Sequence, residues 1–384
     1  MARPKCSRRL RGSVRAAVSI WAMDLFRRLT GRRQRPYWYD PPGEAPATES
    51  AVEPVERTTL GTRAARIVST LEPRRVGRYV AGAGDALRQS PVFAPFTRLS
   101  VGLTYEGGLL KLLVCEGSRV VSWETIPFDP RIATGPTVAE PYNLGRLIRD
   151  AFARRGLPRW RVHCALPGFG ALSRVIEVPR TTPRDRRRVV LAEAMRALGV
   201  SPGRHYVYWQ VVDEQGDNQL VFVLAVPRDG MRSLIEAMRA AGIRPRTVDI
   251  TPLALARGIG QPDAIAVELD PHGIDLVVVL DDIPLVVRSV AFEQAMTLEE
   301  AQQAALDLVA TELRRYEDVY VGSRVDRSVP IYLAGDLGAG LRVADRFRTT
   351  TGHPVGRLAP LLDYPEEFPV GEYLTNIGLI LKEA

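Results

Sequence analysis

The sequence predicts an α/β architecture of two lobes with a small α+β unit inserted between them, and three observations carry that expectation. A strand–turn–strand–turn–strand pattern occurs twice: once over Leu99–Cys115, a turn at Glu116–Arg119 and Val120–Phe128, and again over Ile265–Leu280, a turn at Asp281–Pro284 and Leu285–Phe292. Each copy leads into a helical segment. Between the copies, residues 173–250 read helix, strand, strand, helix, strand. Alternating strands and helices around a duplicated meander give layered sheets with helices packed on them.

The 384 residues are 46% apolar, material for one large or two ordinary domains. The net charge of +8 is uneven: residues 1–36 hold eleven Lys or Arg and one acid, so this arm contributes +10 and the remainder is −2. The basic character therefore belongs to an N-terminal arm and not to the folded body, which argues against nucleic-acid binding. Cys6, Cys115 and Cys164 form no framework, and the four histidines show no ligand spacing, so a reducing compartment and no metal are expected. No apolar run reaches the roughly 18 residues that span a bilayer. Ala16–Met23 is too short to span, and no small-residue cleavage site follows. A basic amphipathic helix on an anionic membrane surface fits residues 13–31 better than a signal peptide does, with a disordered basic arm as the alternative. A start at Met23 would remove residues 1–22.

The chain then divides into a proline-rich linker with weak helices (37–95), a first lobe (96–172), the inserted unit (173–250) and a second lobe with a C-terminal helix returning to the core (251–384). In the first lobe a helix is expected over Asn143–Arg155, capped by Asn143 and closed by Gly156, followed by strands Arg161–Leu166 and Ala171–Val178. Thr182-Pro183 opens the next helix, with Asp185 at its third position. Strands His205–Val212 and Gln219–Val226 form a hairpin. Asp229 caps a helix that Gly242 stops, then come strand Arg246–Ile250 and a short helix from Thr251-Pro252. Thr297 and Glu300 make a capping box for a helix reaching about Tyr320. Strand Val329–Ala334 and an apolar helix, Tyr373–Leu381, complete the set.

Six segments in order carry a family resemblance. Val178-Pro-Arg-Thr-Thr-Pro-Arg-Asp185 resembles "VPKMPxKE". Ala192-Glu-Ala-Met-Arg196 with Tyr206-Val-Tyr-Trp-Gln210 resembles "WEAERYIPF…VxLDF". Ala240-Ala-Gly-Ile243 with Val248-Asp-Ile-Thr-Pro252 resembles "AGL…VDVxPFAL". Glu312–Glu317 resembles "ExxRSLxFF", Tyr332–Asp336 "YLxGGG", and Glu372–Leu381 the closing "xxAxGLAL" helix. From Phe96 onward the chain thus resembles the type IV pilus assembly proteins of the PilM family. The resemblance implies an actin-like, FtsA-like fold (ribonuclease-H-like and duplicated), here with a reduced second lobe. The family's helical insertion before the "ExxRSLxFF" helix has shrunk to Glu293–Ala304. It also implies a cytoplasmic protein, peripheral at the inner face of the inner membrane. Its implied partners are the cytoplasmic N-terminal tail of a bitopic inner-membrane protein of the PilN type and the pilus assembly machinery, with homo-oligomers and membrane contact through residues 1–36 left open.

In an actin-like fold the first turn of each repeat grips nucleotide phosphates with backbone N–H groups. The resemblance maps that site onto Gly102 and Lys111 in the first repeat, Glu268, Asp270 and Gly273 in the second, and Gly335 at the adenosine turn. It also shows the site degraded. Ser100 replaces the family's acid, Asp270 replaces a glycine and would repel polyphosphate unless Mg²⁺ intervened, and Ile274 stands where the family has Thr or Ser. No Ser–His–Asp or Cys–His set is visible. The expectation is a non-catalytic adaptor with no cofactor, and an actin-like ATP/Mg switch with weak or no hydrolysis is the alternative. A third reading is a component of a type II secretion platform. For partner contact the sequence offers the arginines that open the helix at Thr182, Arg184 and Arg187, and two tyrosines sharing one strand face, Tyr206 and Tyr208.

Overall fold

The computed structural model describes residues 99–383, apart from residue 136 and the short stretches 293–295, 320–324 and 339–340. The basic arm and the linker with its weak helices, together with Cys6 and Met23, lie outside the described residues.

The first repeat folds as β1 (Leu99–Glu106), β2 (Leu109–Glu116) and β3 (Arg119–Pro127). β1 and β2 are buried almost throughout, as continuous apolar strands covered on both faces must be. A short hairpin, β4 (Ala133–Thr134) and β5 (Thr137–Val138), leads into α1 (Pro141–Arg155). α1 buries the expected stripe of Leu144, Ile148, Ala151 and Phe152 and ends on a left-handed Gly156. It begins before Asn143, because Pro141 suits the first turn. Asn143 is not the cap, and its side-chain amide donates to Glu140.

After β6 (Val162–Leu166) come β7 (Leu172–Pro179), α2 (Pro183–Leu198), β8 (His205–Gln215), β9 (Asn218–Pro227), α3 (Arg228–Ala240) and β10 (Thr247–Ile250). β7, β9 and β8 form an antiparallel sheet covered by α2, with Ile176, Val190, Ala194, Val221 and Val223 at its core. The Thr182 hydroxyl accepts from the Asp185 N–H, so the cap at the start of α2 stands as expected. At α3 the helix starts at Arg228, and Asp229 sits inside its first turn instead of capping it. β10 pairs with β6 in the sheet β10-β6-β1-β2-β3, and α3 packs on α1. Of residues 173–250, β7, β8 and β9 with α2 thus build the separate three-stranded sheet, whereas β10 joins the first sheet. β10 is buried at every position, which requires a sheet covered on both faces.

α4 (Thr251–Ile259) connects to the second repeat, β11 (Ala264–Asp270), β12 (Gly273–Leu280) and β13 (Ile283–Ala291). The β12–β13 turn places Asp281 and Asp282 at positive φ, a conformation that aspartate tolerates better than most residues. Only Phe292–Thr297 separates β13 from α5 (Leu298–Val319), so no helical insertion stands there. Thr297 and Glu300 form the expected capping box. β14 (Ile331–Ala334) lies parallel to β11, giving the order β13-β12-β11-β14.

A helix the sequence did not announce, α6 (Leu341–Thr351), follows; it buries Val343 and Phe347 in a run otherwise mostly polar. α7 (Leu374–Ile380) is buried along its whole length, packs on α4 and reaches β2 and β6. The α4–α7 crossing is close because Gly258 and Gly378 bring no side chains: a Cβ on either would strike a carbonyl oxygen of the other helix. Among the described residues no helix is long and apolar enough to cross a membrane.

Candidate functional site

Four pieces of chain converge where the two sheets meet: the β1–β2 turn, the β11–β12 turn, the Gly335–Asp336 bend after β14, and Glu372–Asn376 leading into α7. The cavity among them measures about 30 Å³, room for a water or two. The two turns touch, since a Cβ on Gly107 would lie 2.5 Å from the His272 ring.

Lys111 points into this space from β2 and is 8% exposed. Its ammonium donates to Asp336 Oδ1 at 2.9 Å and to the Glu372 carbonyl at 3.3 Å. Burial would lower its pKa, but Asp270, Asp336 and Glu268 raise it further, so the group is held charged. Around it stand several carboxylates. Burial, then the charges of Asp270 and Asp275, push Glu268 up to about 8, against a 2.5 Å hydrogen bond from the Thr375 hydroxyl. Burial likewise drives Asp275 up to about 6, although the Ser289 hydroxyl donates to it. Glu106 lies well above the ordinary carboxylate range through burial and the charges of Asp275, Asp270 and Glu268. Asp270 is raised by burial, opposed by Lys111 and by the Asp336 N–H that donates to it at 2.8 Å. The result is a cleft crowded with carboxyl groups whose one ammonium is already engaged by Asp336 and the Glu372 carbonyl, leaving no free cation among the described residues for a polyphosphate.

The structure brings together Lys111, Glu268 and Asp270 of the six sequence candidates. Gly335 sits directly behind them at φ +85°, and a Cβ there would lie 2.7 Å from Asp270 Oδ1. Gly102 faces α7 instead, 2.8 Å from the Asn376 carbonyl oxygen by the same construction. Gly273 packs against Phe169 and the Val290 carbonyl. Asn376 was not among the candidates, yet it joins α7 to the first sheet: it donates to the carbonyls of Gly102 and Lys111 and accepts from the Thr104 hydroxyl, each at 3.2 Å. Its signal in the sequence was an amide within an apolar helix, which burial obliges to find several partners. Glu106 and Thr375, also missed, carried no comparable signal.

The partner candidates separate. On β8, Val207, Trp209 and Val211 pack against the α2-covered core, so Tyr206 and Tyr208 occupy the other face of that sheet. The Arg228 guanidinium lies over the Tyr206 ring at 4.1 Å. Arg187 is exposed on α2, on the far side of the sheet from the tyrosines; the side chain of Arg184 lies outside the described residues. Tyrosines and arginines therefore do not form one surface.

Two meanders flanking a cleft, with a terminal helix closing back onto the first sheet, can be compared with solved structures. The chain is similar to the PilM–PilN type IV pilus biogenesis complex, with a TM-score of 0.60 and 22% identity over 75% of this chain and 99% of that one. The fold is actin-like. It is also similar to an actin-like ATPase-fold protein from Bacteroides thetaiotaomicron (TM-score 0.42, 9% identity, 75% of this chain and 98% of that one). A third similar structure is the cytoplasmic domain of EpsL, an inner-membrane component of the Vibrio cholerae type II secretion system (TM-score 0.41, 15% identity, 73% and 94%). No protein-family profile and no curated protein sequence matches the chain.

Proposed function

We propose that this chain is a nucleotide-independent scaffold of a type IV pilus or related secretion platform. It binds the cytoplasmic tail of an inner-membrane partner of the PilN type through the inserted unit and carries out no catalysis. The observation that carries this reading is the filled cleft. Small-molecule sites occupy roughly 300–1,000 Å³, whereas about 30 Å³ separates the turns here and Lys111 is already committed to Asp336. The residues present do not fit ATP and Mg²⁺. The likeness to a solved PilM–PilN complex supports the class of partner. A cytoplasmic position at the membrane surface, aided by the basic arm, belongs to the same reading.

The test is thermal unfolding of the full chain with and without millimolar Mg-ATP, followed by titration with a peptide of the cytoplasmic N-terminal tail of a PilN-type inner-membrane protein. A ligand at a hundredfold its Kd adds about 2.7 kcal/mol, a shift of several degrees. No shift with Mg-ATP and saturable tail binding in its absence are expected. A clear shift would overturn the scaffold reading in favour of the ATP-binding switch.

A further inference from the structure

β3 is the last strand of its sheet, and its outer edge is only partly covered. At its start the Val120 N–H donates to the Asp363 carbonyl at 2.8 Å, and the Asp363 N–H donates to the Ser118 carbonyl at 2.9 Å. The cover ends there, because Pro365 follows and has no N–H to continue the ladder. Just after Val120 the pairing with β2 slips by one residue. Phe128 donates to Gly108 on the β2 side, and alternation along the strand turns residues 126, 124 and 122 the same way. Trp123 and Thr125 therefore present their N–H and C=O groups outward, where no backbone group of the described residues meets them. Natural edges are usually blunted by lysine, proline or a covering segment; Ser122–Ile126 holds no lysine or proline, and no segment among the described residues covers it.

This open row borders a groove of about 750 Å³ lined by Val121, Ser122, Trp123, Tyr364 and Glu367 among others. Its apolar wall is well built: Trp123 meets Phe368 edge-on at 5.1 Å, and Phe368 packs between Tyr364 and Tyr373. Val121 and Tyr364 remain exposed. The lining carries the exposed carboxylates Asp363 and Glu367, with exposed Glu366 next to the latter in the chain; none makes an ion pair among the described residues, and the one cation lining the groove is Arg119.

We propose that the β3 edge is a docking site for an extended, basic segment of a partner protein, which adds a strand to the sheet, seats alternate side chains against Trp123 and Tyr364, and meets the acidic rim with the others. The site is separate from the inserted unit, which is attached beside β6 and β10 at the opposite end of the strand order.

The probes are fluorescein-labelled heptapeptides, Arg-Val-Arg-Val-Arg-Val-Arg and its Glu-Val counterpart, titrated against the full chain by anisotropy. The basic peptide should bind at least about tenfold tighter, the equivalent of a net hydrogen bond or more, and should weaken as salt rises. Thr125→Pro deletes the outward N–H without removing a bond to β2 and should lower that affinity by a similar factor, whereas Thr125→Val, which loses only the hydroxyl's bond to Tyr373, should not. The exposed pair Glu366→Lys and Glu367→Lys, which leaves the strand untouched, should reverse the preference. Equal binding of the two peptides, or a preference unchanged in the double variant, would overturn the proposal. So would a dimer in sedimentation that Thr125→Pro dissociates, since a second copy would then occupy the edge.

Discussion

Replacing Lys111 with methionine keeps the length of the side chain and removes the one ammonium inside the acidic cleft. At 2.9 Å from Asp336, the pair interacts by about 6 kcal/mol at an effective dielectric of about 20. Burying the ammonium takes back several kcal/mol, and breaking a buried pair typically costs a net ~3–5 kcal/mol because the partner charge is left behind. The loss should depend on pH. Glu268 and Asp275 have native pKa values of about 8 and about 6, both raised. The native state therefore keeps protons that the unfolded chain has released. Their contribution is complete below the unfolded pKa and is lost as pH rises through the native values. Urea unfolding at about pH 9 should show Lys111→Met less stable by ~3–5 kcal/mol, and the gap should narrow at about pH 5.5, where the carboxyls have taken up protons. A gap below about 1 kcal/mol at the higher pH, within the range of an exposed ion pair, or one that widens on acidification, would refute this account of the cleft.

Asp249 is buried between Arg257 at 3.0 Å and Lys382 at 2.8 Å, so Asp249→Asn should cost about 3–5 kcal/mol in urea unfolding at neutral pH. Burial raises the pKa of this carboxyl, but Lys382 and Arg257 more than offset it; the pKa ends below its ordinary value, and the gap to wild type should close only as pH falls below that value. Gly378→Ala should lower the thermal midpoint markedly, since its methyl would enter the space of the Ala254 carbonyl oxygen, and overpacking costs typically 1–3 kcal/mol or more; an unchanged midpoint would mean that the α4–α7 crossing can spread freely.

The doubled meander was legible because each copy is a set of apolar strands punctuated by turn residues, signals that are local. The caps at Thr182 and Thr297 were legible for the same reason. α6 was not, because Val343 and Phe347 are buried by tertiary contact in a stretch whose own pattern is weak. The pairing of β10 with β6 was not legible because the two strands lie some eighty residues apart in the chain, and strand sequence does not reveal partner choice. At the site, resemblance pointed to Lys111, Glu268 and Asp270. That the acids and the lysine would satisfy one another depends on distances between lobes, which no local pattern encodes. Tyr206 and Arg187 each looked like contact residues, but only the three-dimensional structure shows that they lie on opposite sides of the sheet.

Asn376 hydrogen-bonds to Thr104, 272 residues earlier in the chain. At synthesis rates of roughly 5–20 residues per second, β1 and β2 leave the ribosome between about 15 and 55 s before α7 is available to cover them. Through that interval two strongly apolar strands lack the helix that satisfies the Gly102 and Lys111 carbonyls. The first lobe is thus the first to be made and among the last to be finished. Loop closure of this length slows the final step, so the first sheet stays incompletely covered until α7 arrives.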